Sequence, residues 1–160
     1  MIIRYVITAF FIIFLPFLIW LTVDSNSVTE TSSKNECSHT KDTIPESHKA
    51  FLLENDWHIK STCRTSKEIL NYYPERISMI QSGGLDLEAY NKKGKEATIT
   101  TYRLKEKQQN GDKLSATIYE IDGKIIGGYG GLENWDPGIF RLDDKKRLMK
   151  EGKIAAAEQN

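Results

Sequence analysis

The first hydrophobic feature of the chain is an apolar run from Tyr5 to Val23 that contains no charged residue. A membrane-spanning helix needs about 20 apolar residues, because it rises about 1.5 Å per residue through a hydrocarbon core of about 30 Å. Pro16 lies inside the run, where it kinks a helix without preventing it from spanning. The pattern therefore predicts a transmembrane anchor at residues 5–23, after a short cytoplasmic N-terminus at residues 1–4.

The residues that flank this run predict its orientation. Arg4 precedes it and Asp24 follows it, and basic residues favour the cytoplasmic side. We therefore expect a single-pass protein of the cell membrane, with its N-terminus inside and the domain outside. The alternative is secretion after signal cleavage, but the run exceeds the roughly 7–15-residue apolar region of signal peptides, and Val23-Asp24-Ser25 is a weak cleavage site.

Residues 24–45 are rich in Ser, Thr and Asn and contain hardly any large apolar side chain. Such a segment cannot bury enough surface to offset its ordering entropy, so it is predicted to be a flexible polar linker. Cys37-x-His39 could form half of a metal site, but a structural zinc needs about four ligands and no second pair follows at short spacing. We therefore expect no metal site and no cofactor.

Two short helices are predicted after the linker. The first follows Pro45 and ends at Asn55-Asp56, which tolerate a left-handed turn. The second begins at Pro74 and ends at Ser82 before two glycines, and residues 66–73 fit either a preceding helical half or an extended segment. The apolar face of the first helix is predicted to contain Ala50, Leu53 and Trp57, flanked by Phe51 and Leu52.

The strands are predicted from β-rich runs and the turn residues between them. Residues 114–121 and 124–131 flank Asp122-Gly123, a pair that suits a two-residue type I′ hairpin because both residues tolerate positive φ. Residues 97–104 add a third strand, and the alternating segment 57–63 is a candidate fourth.

Together these elements predict an α+β domain over residues 46–142, with two short helices packed on a three- to four-stranded antiparallel meander. Residues 143–160 are rich in charged side chains and are predicted to form a solvated C-terminal tail. Residues 127–131 contain four glycines but lack the context of a phosphate loop, so they are expected to permit close packing. We expect Trp135 and Phe140 to fold back onto the core, and Trp135 with Tyr129 is the candidate binding surface.

Charge and cysteine content narrow the function classes. The chain has 22 basic and 22 acidic residues, and this balance gives no electrostatic case for a nucleic-acid partner. Cys37 and Cys63 would face an oxidising environment outside the membrane, where a disulfide persists, but the sequence leaves open whether they pair. His48 and His58 have no neighbouring residue that marks either as a catalytic base, so both are expected at the surface.

Three motifs stand out along residues 48–142: Leu52-Leu53-Glu54-Asn55-Asp56-Trp57, Gly84-Leu85-Asp86-Leu87 with Tyr90 and Gly94, and Ile121-Asp122-Gly123-Lys124-Ile125-Ile126-Gly127-Gly128. Over this range the chain resembles a Gram-positive family of membrane-anchored α+β domains of unknown function. These motifs shape a fold, and the resemblance implies no catalytic residue.

The function expected from the sequence is a non-catalytic envelope module that binds a protein, a peptide or a wall component. The alternative is an extracytoplasmic hydrolase assembled from His48, His58, Cys63 and carboxylates. A protease-inhibitor-like module is a third hypothesis, which rests on fold analogy alone. The sequence favours a non-enzyme without deciding the question.

Overall fold

The computed structural model describes residue 37 and residues 43–155. The predicted anchor at residues 5–23 and nearly all of the predicted linker lie outside these described residues. Within the described part, no helix has both the length and the apolar character that a membrane crossing requires.

The described chain contains three α-helices, five strands and one 3-10 turn. The helices are α1 (Glu46–Leu53), α2 (Pro74–Ser82) and α3 (Lys145–Lys150), and the 3-10 turn is Leu142–Asp144. The strands are β1 (Ile59–Ile69), β2 (Glu96–Lys107), β3 (Lys113–Ile121), β4 (Lys124–Leu132) and β5 (Ile139–Phe140).

The strands form one antiparallel sheet in the order β1-β2-β3-β4-β5, each paired with its neighbour in the chain. This confirms the predicted α+β class and antiparallel meander, and it corrects the number of strands from three or four to five. The fifth strand was missed because its two residues carry no alternation. Asp122 and Gly123 join β3 to β4 with φ angles of 51° and 73°, the positive values that a type I′ turn requires.

β1 differs most from its prediction, because it runs to Ile69 instead of ending at Cys63. Its pairing with β2 shifts register twice, between Ile59 and Ser61 and between Thr62 and Arg64. An extra residue at such a bulge breaks the apolar–polar alternation from which a strand is recognised. Residues 66–69 are therefore strand, and α2 starts at Pro74 and ends at Ser82 as predicted.

α1 lies where it was predicted, but it buries a different face. Its buried residues are His48 and Leu52, one helical turn apart, whereas Leu53 is 50% exposed. Asp56 ends the following turn with φ 59°, which directs the buried Trp57 back to the sheet. The predicted face of α1 was wrong because every apolar residue of the segment was considered for burial, whereas His48 was assigned to the solvent-exposed side.

The chain after residue 142 is also packed on the domain, which corrects the predicted solvated tail. Leu142, Leu148 and Ile154 are all buried, and Ile154 forms an isolated bridge with Gln108 beyond the end of β2. These apolar residues are six positions apart and mostly charged or polar residues separate them, so no local pattern of a helix or strand marks them as buried. The domain therefore extends at least to Ile154.

The sheet carries two hydrophobic cores on opposite faces. The first face buries Tyr102 and Leu104 of β2 beneath α1 and the C-terminal segment, and the second face buries Ala97 and Ile99 in the core that includes α2. On the first face of β2, burial continues from Thr100 to Glu106. On the second face the hydrophobic core ends at Ile99, so the half of this face that lies beyond Ile99 is left uncovered.

Candidate binding surface

The uncovered half of the second face contains a row of basic side chains on β2. Arg103, Lys105 and Lys107 are partly or fully exposed and alternate with the buried residues Leu104 and Glu106. Residues two positions apart on a strand point to the same face and are separated by roughly 7 Å. The pairing of β2 with β3 shifts register between Arg103 and Lys107, but the alternation of burial continues through this segment. The three cations therefore lie on the side opposite the first core.

Neighbouring strands add two more basic residues to this surface. Lys113 of β3 is paired with Lys107, and Arg64 of β1 is paired with Thr101, the residue two positions before Arg103. Directly paired residues of an antiparallel ladder place their side chains on the same face. We call the resulting surface the basic face: Arg64, Arg103, Lys105, Lys107 and Lys113.

The cations of the basic face have no acidic salt-bridge partner among residue 37 and residues 43–155. None of the five forms a salt bridge with another described residue. Glu133 lies at the rim, where its Oε2 accepts a hydrogen bond from the backbone nitrogen of Lys113 at 3.1 Å. Between the cations, the hydroxyl oxygens of Thr101 and Thr117 lie 3.0 Å apart, so the surface also contains neutral hydrogen-bonding groups. This chemistry favours an anion.

A disulfide joins Cys37 to Cys63 at this surface. The Nη2 of Arg103 also donates a hydrogen bond to the Sγ of Cys37 at 3.2 Å. Residue 37, from the segment that precedes the domain, is therefore held against the basic face. Neither sulfur is a free thiol, so neither is available as a nucleophile or a thiolate ligand.

His48 is buried, which corrects its predicted exposure. Its Nδ1 lies 2.6 Å from the hydroxyl oxygen of Tyr102, and its Nε2 lies 3.1 Å from a carboxylate oxygen of Glu120 without the alignment of a hydrogen bond. Burial, with a smaller contribution from the charge of Glu120, raises the pKa of Tyr102 to about 12. The neutral hydroxyl of Tyr102 therefore shares a hydrogen bond with His48, which fixes α1 to the sheet.

Glu106 is a second buried polar residue, and it joins three parts of the domain. Its carboxylate lies 2.9 Å from the Nδ1 of His58 and accepts a hydrogen bond from Lys145 at 2.8 Å. Burial raises the pKa of Glu106, but the hydrogen bonds from Lys145 and His58 lower it by more, so its pKa lies below the ordinary value. Lys145 also donates to the backbone oxygen of Asp56 and lies 4.6 Å from the ring centroid of Trp57. This cluster attaches α3 to the start of β1.

The structure does not assemble the hydrolase site that was hypothesised from His48, His58 and Cys63. No hydrogen bond between described residues joins any two of them, and each has a different partner: Tyr102, Glu106 and Cys37. In residue 37 and residues 43–155, no three His, Cys, Asp or Glu side chains are grouped so that they could hold a metal ion.

The two aromatic residues of the predicted binding surface have different environments. Trp135 is 50% exposed, with the Nζ of Lys153 at 5.6 Å from its ring centroid, so it does not fold into the core as expected. Phe140 does, and it is buried. Tyr129 packs against the second core, 6.2 Å from Tyr119 between ring centroids, and burial raises the pKa of Tyr129 to about 12. Trp135 and Tyr129 therefore contact different residues.

The basic face was not predicted from the sequence because the charges were counted over the whole chain. They were not assigned to the two faces of each strand. The segment 103–107 contains an acid between its basic residues, yet Glu106 is buried on the first face while Arg103 and Lys107 are on the second. A signal was present, since basic residues recur at every second position from Arg103 to Lys107, where β2 continues past the predicted strand end at Leu104. The neutral net charge of the chain therefore conceals a local excess of positive charge on the basic face.

Comparison with known families adds one finding. A family model described as a domain of unknown function, DUF4830, matches residues 38–129, which is more than half of the chain. The matched range includes all five residues of the basic face and ends before β5. Neither a curated protein nor a solved structure matches the chain.

Proposed function

The chain belongs to the DUF4830 family, and we propose that it is a non-catalytic binding module of the cell envelope whose basic face holds an anionic ligand. One observation carries this proposal: five cations lie on the same uncovered surface of the sheet, and none of them forms a salt bridge with a described residue. The ligand is identified here only by its chemistry, which is a polyanion presenting several negative groups.

Electrostatic repulsion within the basic face supports this proposal. Lys107 and Lys113 are paired directly across two strands, and like charges in that position destabilise a sheet by about 0.2–1 kcal/mol. A bound anion would remove this repulsion in addition to gaining its own attraction. The ordered backbone of the sheet would keep the cations in place before binding, which lowers the entropy lost on association.

The cellular location forms part of the same proposal. Residues 5–23 anchor the chain in the cell membrane with the N-terminus inside, and the domain is displayed outside, in keeping with the Gram-positive, membrane-anchored character that the motif resemblance implies. Support comes from the uncharged length of this run and from Arg4 before it. The Cys37–Cys63 disulfide adds support, because such bonds persist in oxidising compartments.

One observation favours the hydrolase alternative. The Nδ1 of His58 is bound by the carboxylate of Glu106 and its ring is half exposed, an orientation that suits a general base. The same carboxylate is bound by Lys145, and no hydroxyl or thiol nucleophile is hydrogen-bonded to His58 among the described residues. The geometry therefore supports binding at the basic face better than catalysis at His58.

The test is the affinity of the full chain, in neutral detergent, for linear polyphosphate. The triple variant R103Q/K105Q/K107Q removes the β2 row, and the matched variant K92Q/K93Q/K146Q removes three exposed charges elsewhere. We expect the first to weaken binding at least tenfold and the second to change it less than twofold. Equal affinities of the two variants would overturn the proposal.

A further inference from the structure

We infer that the anionic ligand is the phospholipid headgroup surface of the membrane in which the chain itself is anchored. This inference rests on the proposed function, because it requires both the basic face and the anchor at residues 5–23. It adds the identity of the partner, and it makes the domain a membrane-docked module instead of one that projects freely from the surface.

The chain enters the domain at the basic face. Cys37 is bonded to Cys63 of β1, and its Sγ accepts a hydrogen bond from Arg103 at 3.2 Å. A chain that leads from a membrane anchor to Cys37 thus arrives at the basic face. The surface nearest to the point of attachment is also the surface whose cations form no salt bridge with a described residue.

The connection between the predicted anchor and the domain is short. Only residues 24–36 separate the predicted anchor from Cys37. A segment of this length spans at most about 45 Å when fully extended, and about 20 Å on average as a flexible coil. Attachment at this distance keeps the basic face at a high effective concentration near the headgroups, so that weak individual contacts become sufficient for docking.

The cations of the basic face are arranged in two dimensions. Arg103, Lys105 and Lys107 extend roughly 14 Å along β2, while Arg64 and Lys113 lie on the strands to either side, so that the set spans roughly 10 Å across the sheet. An array that extends in both directions matches a plane of negative charges better than a single narrow chain. Anionic lipid attracts clustered Lys and Arg in this way within about one Debye length, near 8 Å at physiological salt.

The test uses the full chain in nanodiscs of phosphatidylcholine alone or with roughly one third phosphatidylglycerol, in keeping with the anionic-lipid mechanism. Amine labelling followed by mass spectrometry reports the accessibility of Lys105, Lys107 and Lys113. At low salt, we expect their labelling to fall at least threefold in the anionic discs, and to recover in high salt. Labelling of Lys92 and Lys93, which lie outside the basic face, is expected to be the same in both discs.

A variant separates this effect from a change in folding. R64Q/R103Q removes two cations but keeps the three reporter lysines, and it should abolish their protection in anionic discs. K92Q/K93Q removes the same amount of charge and should preserve it. An unchanged labelling pattern of R64Q/R103Q in neutral discs checks that the domain is still folded.

The contrary outcomes are distinct. If the chain co-elutes with the discs but anionic lipid gives no protection, while polyphosphate added to neutral discs does, the inference is overturned and the proposed anion-binding function is kept. Equal protection of Lys92 and Lys93 would also overturn the inference, because the attraction would not be specific to the basic face. A chain that does not co-elute with discs would overturn the anchor, and the inference with it. If neither phosphatidylglycerol nor polyphosphate protects the basic face, both the inference and the proposed binding function fail.

Discussion

Lys107 is paired directly with Lys113, and together they close the loop that connects β2 to β3. Both side chains are exposed, and neither forms a salt bridge with a described residue. Two like charges in this relationship weaken the hairpin they close. The two charges therefore lower the stability of the domain while they raise its affinity for the proposed ligand.

Removing one of these charges is expected to stabilise the domain and weaken binding together. Lys113→Gln should raise the free energy of unfolding by about 0.2–1 kcal/mol, because it removes the repulsion across the ladder. It should also lower the affinity for polyphosphate severalfold. Urea denaturation and a binding titration measure the two effects, with Lys124→Gln as the control, since Lys124 is paired with the uncharged Ile121. A Lys113→Gln chain no more stable than the control would contradict this explanation.

Gly130 is expected to tolerate no larger residue, because Phe140 of the neighbouring strand packs against its backbone. A Cβ at Gly130 would come within 2.1 Å of the Phe140 ring, whereas at Gly131 it would meet only the Ser115 hydroxyl oxygen, at 2.6 Å. Overpacking of this kind costs about 1–3 kcal/mol. We expect Gly130→Ala to lower the free energy of unfolding by this amount and Gly131→Ala by clearly less, because a serine hydroxyl can rotate away. Equal losses in urea denaturation would show that Phe140 is not the cause.

The disulfide is expected to contribute to stability through the unfolded chain. Cys37 and Cys63 are 26 positions apart, and closing a loop of that length stabilises a protein by about 3.5 kcal/mol in the chain-entropy model. The double variant C37S/C63S should lose this amount in urea denaturation. A reductant should reduce the stability of the native chain to a similar level and leave the double variant unchanged. If the reductant has no effect on the native chain, the bond does not contribute in this way.

Acid is expected to weaken the cluster around Glu106. The hydrogen bonds from Lys145 and His58 outweigh burial, so its pKa is lowered in the folded domain. A carboxylate of this type contributes stability that is present above its ordinary pKa of about 4.3 and is lost as pH falls through the lower folded value. In Glu106→Gln, the free energy of unfolding should therefore fall less steeply with decreasing pH below about pH 4.5 than it does in the native chain. The variant should also be less stable at neutral pH.

The matched comparison for this prediction is Asp143→Asn. The pKa of Asp143 is also lowered, chiefly by its hydrogen bond from Arg141, but the pair is exposed. Exposed ion pairs contribute little because water screens them. Asp143→Asn should therefore leave the acid limb of the stability curve, which is the fall in the free energy of unfolding below about pH 4.5, nearly unchanged. An acid limb that is as steep in Glu106→Gln as in the native chain would exclude Glu106 as its origin.

The parts of the fold that were predicted correctly have signals confined to neighbouring residues. Asp122-Gly123 meets the backbone requirement of the β3–β4 turn, and Pro74 with Gly84 marks the ends of α2, where Gly84 adopts φ 90°. These residue types act through their own backbone preferences. The helix and hairpin positions therefore needed no knowledge of distant contacts.

The parts that were missed depend on contacts between distant residues. His48 is buried because Tyr102, 54 positions away, supplies its hydrogen bond, and Ile154 is buried because the C-terminal segment crosses the end of β2. The basic face depends on the pairing of β1, β2 and β3, which places Arg64 and Lys113 beside the row on β2. No local pattern contains these pairings, so they appear only in the folded domain.

The central claim is that the β2 row binds an anion, and the salt dependence of polyphosphate binding tests it most directly. Each phosphate contact to a flexible strand contributes about 0.7 to the slope of log affinity against log salt. The native chain should therefore show a slope steeper by about 2 than R103Q/K105Q/K107Q, with K92Q/K93Q/K146Q close to the native value. Identical slopes for the native chain and R103Q/K105Q/K107Q would contradict the account.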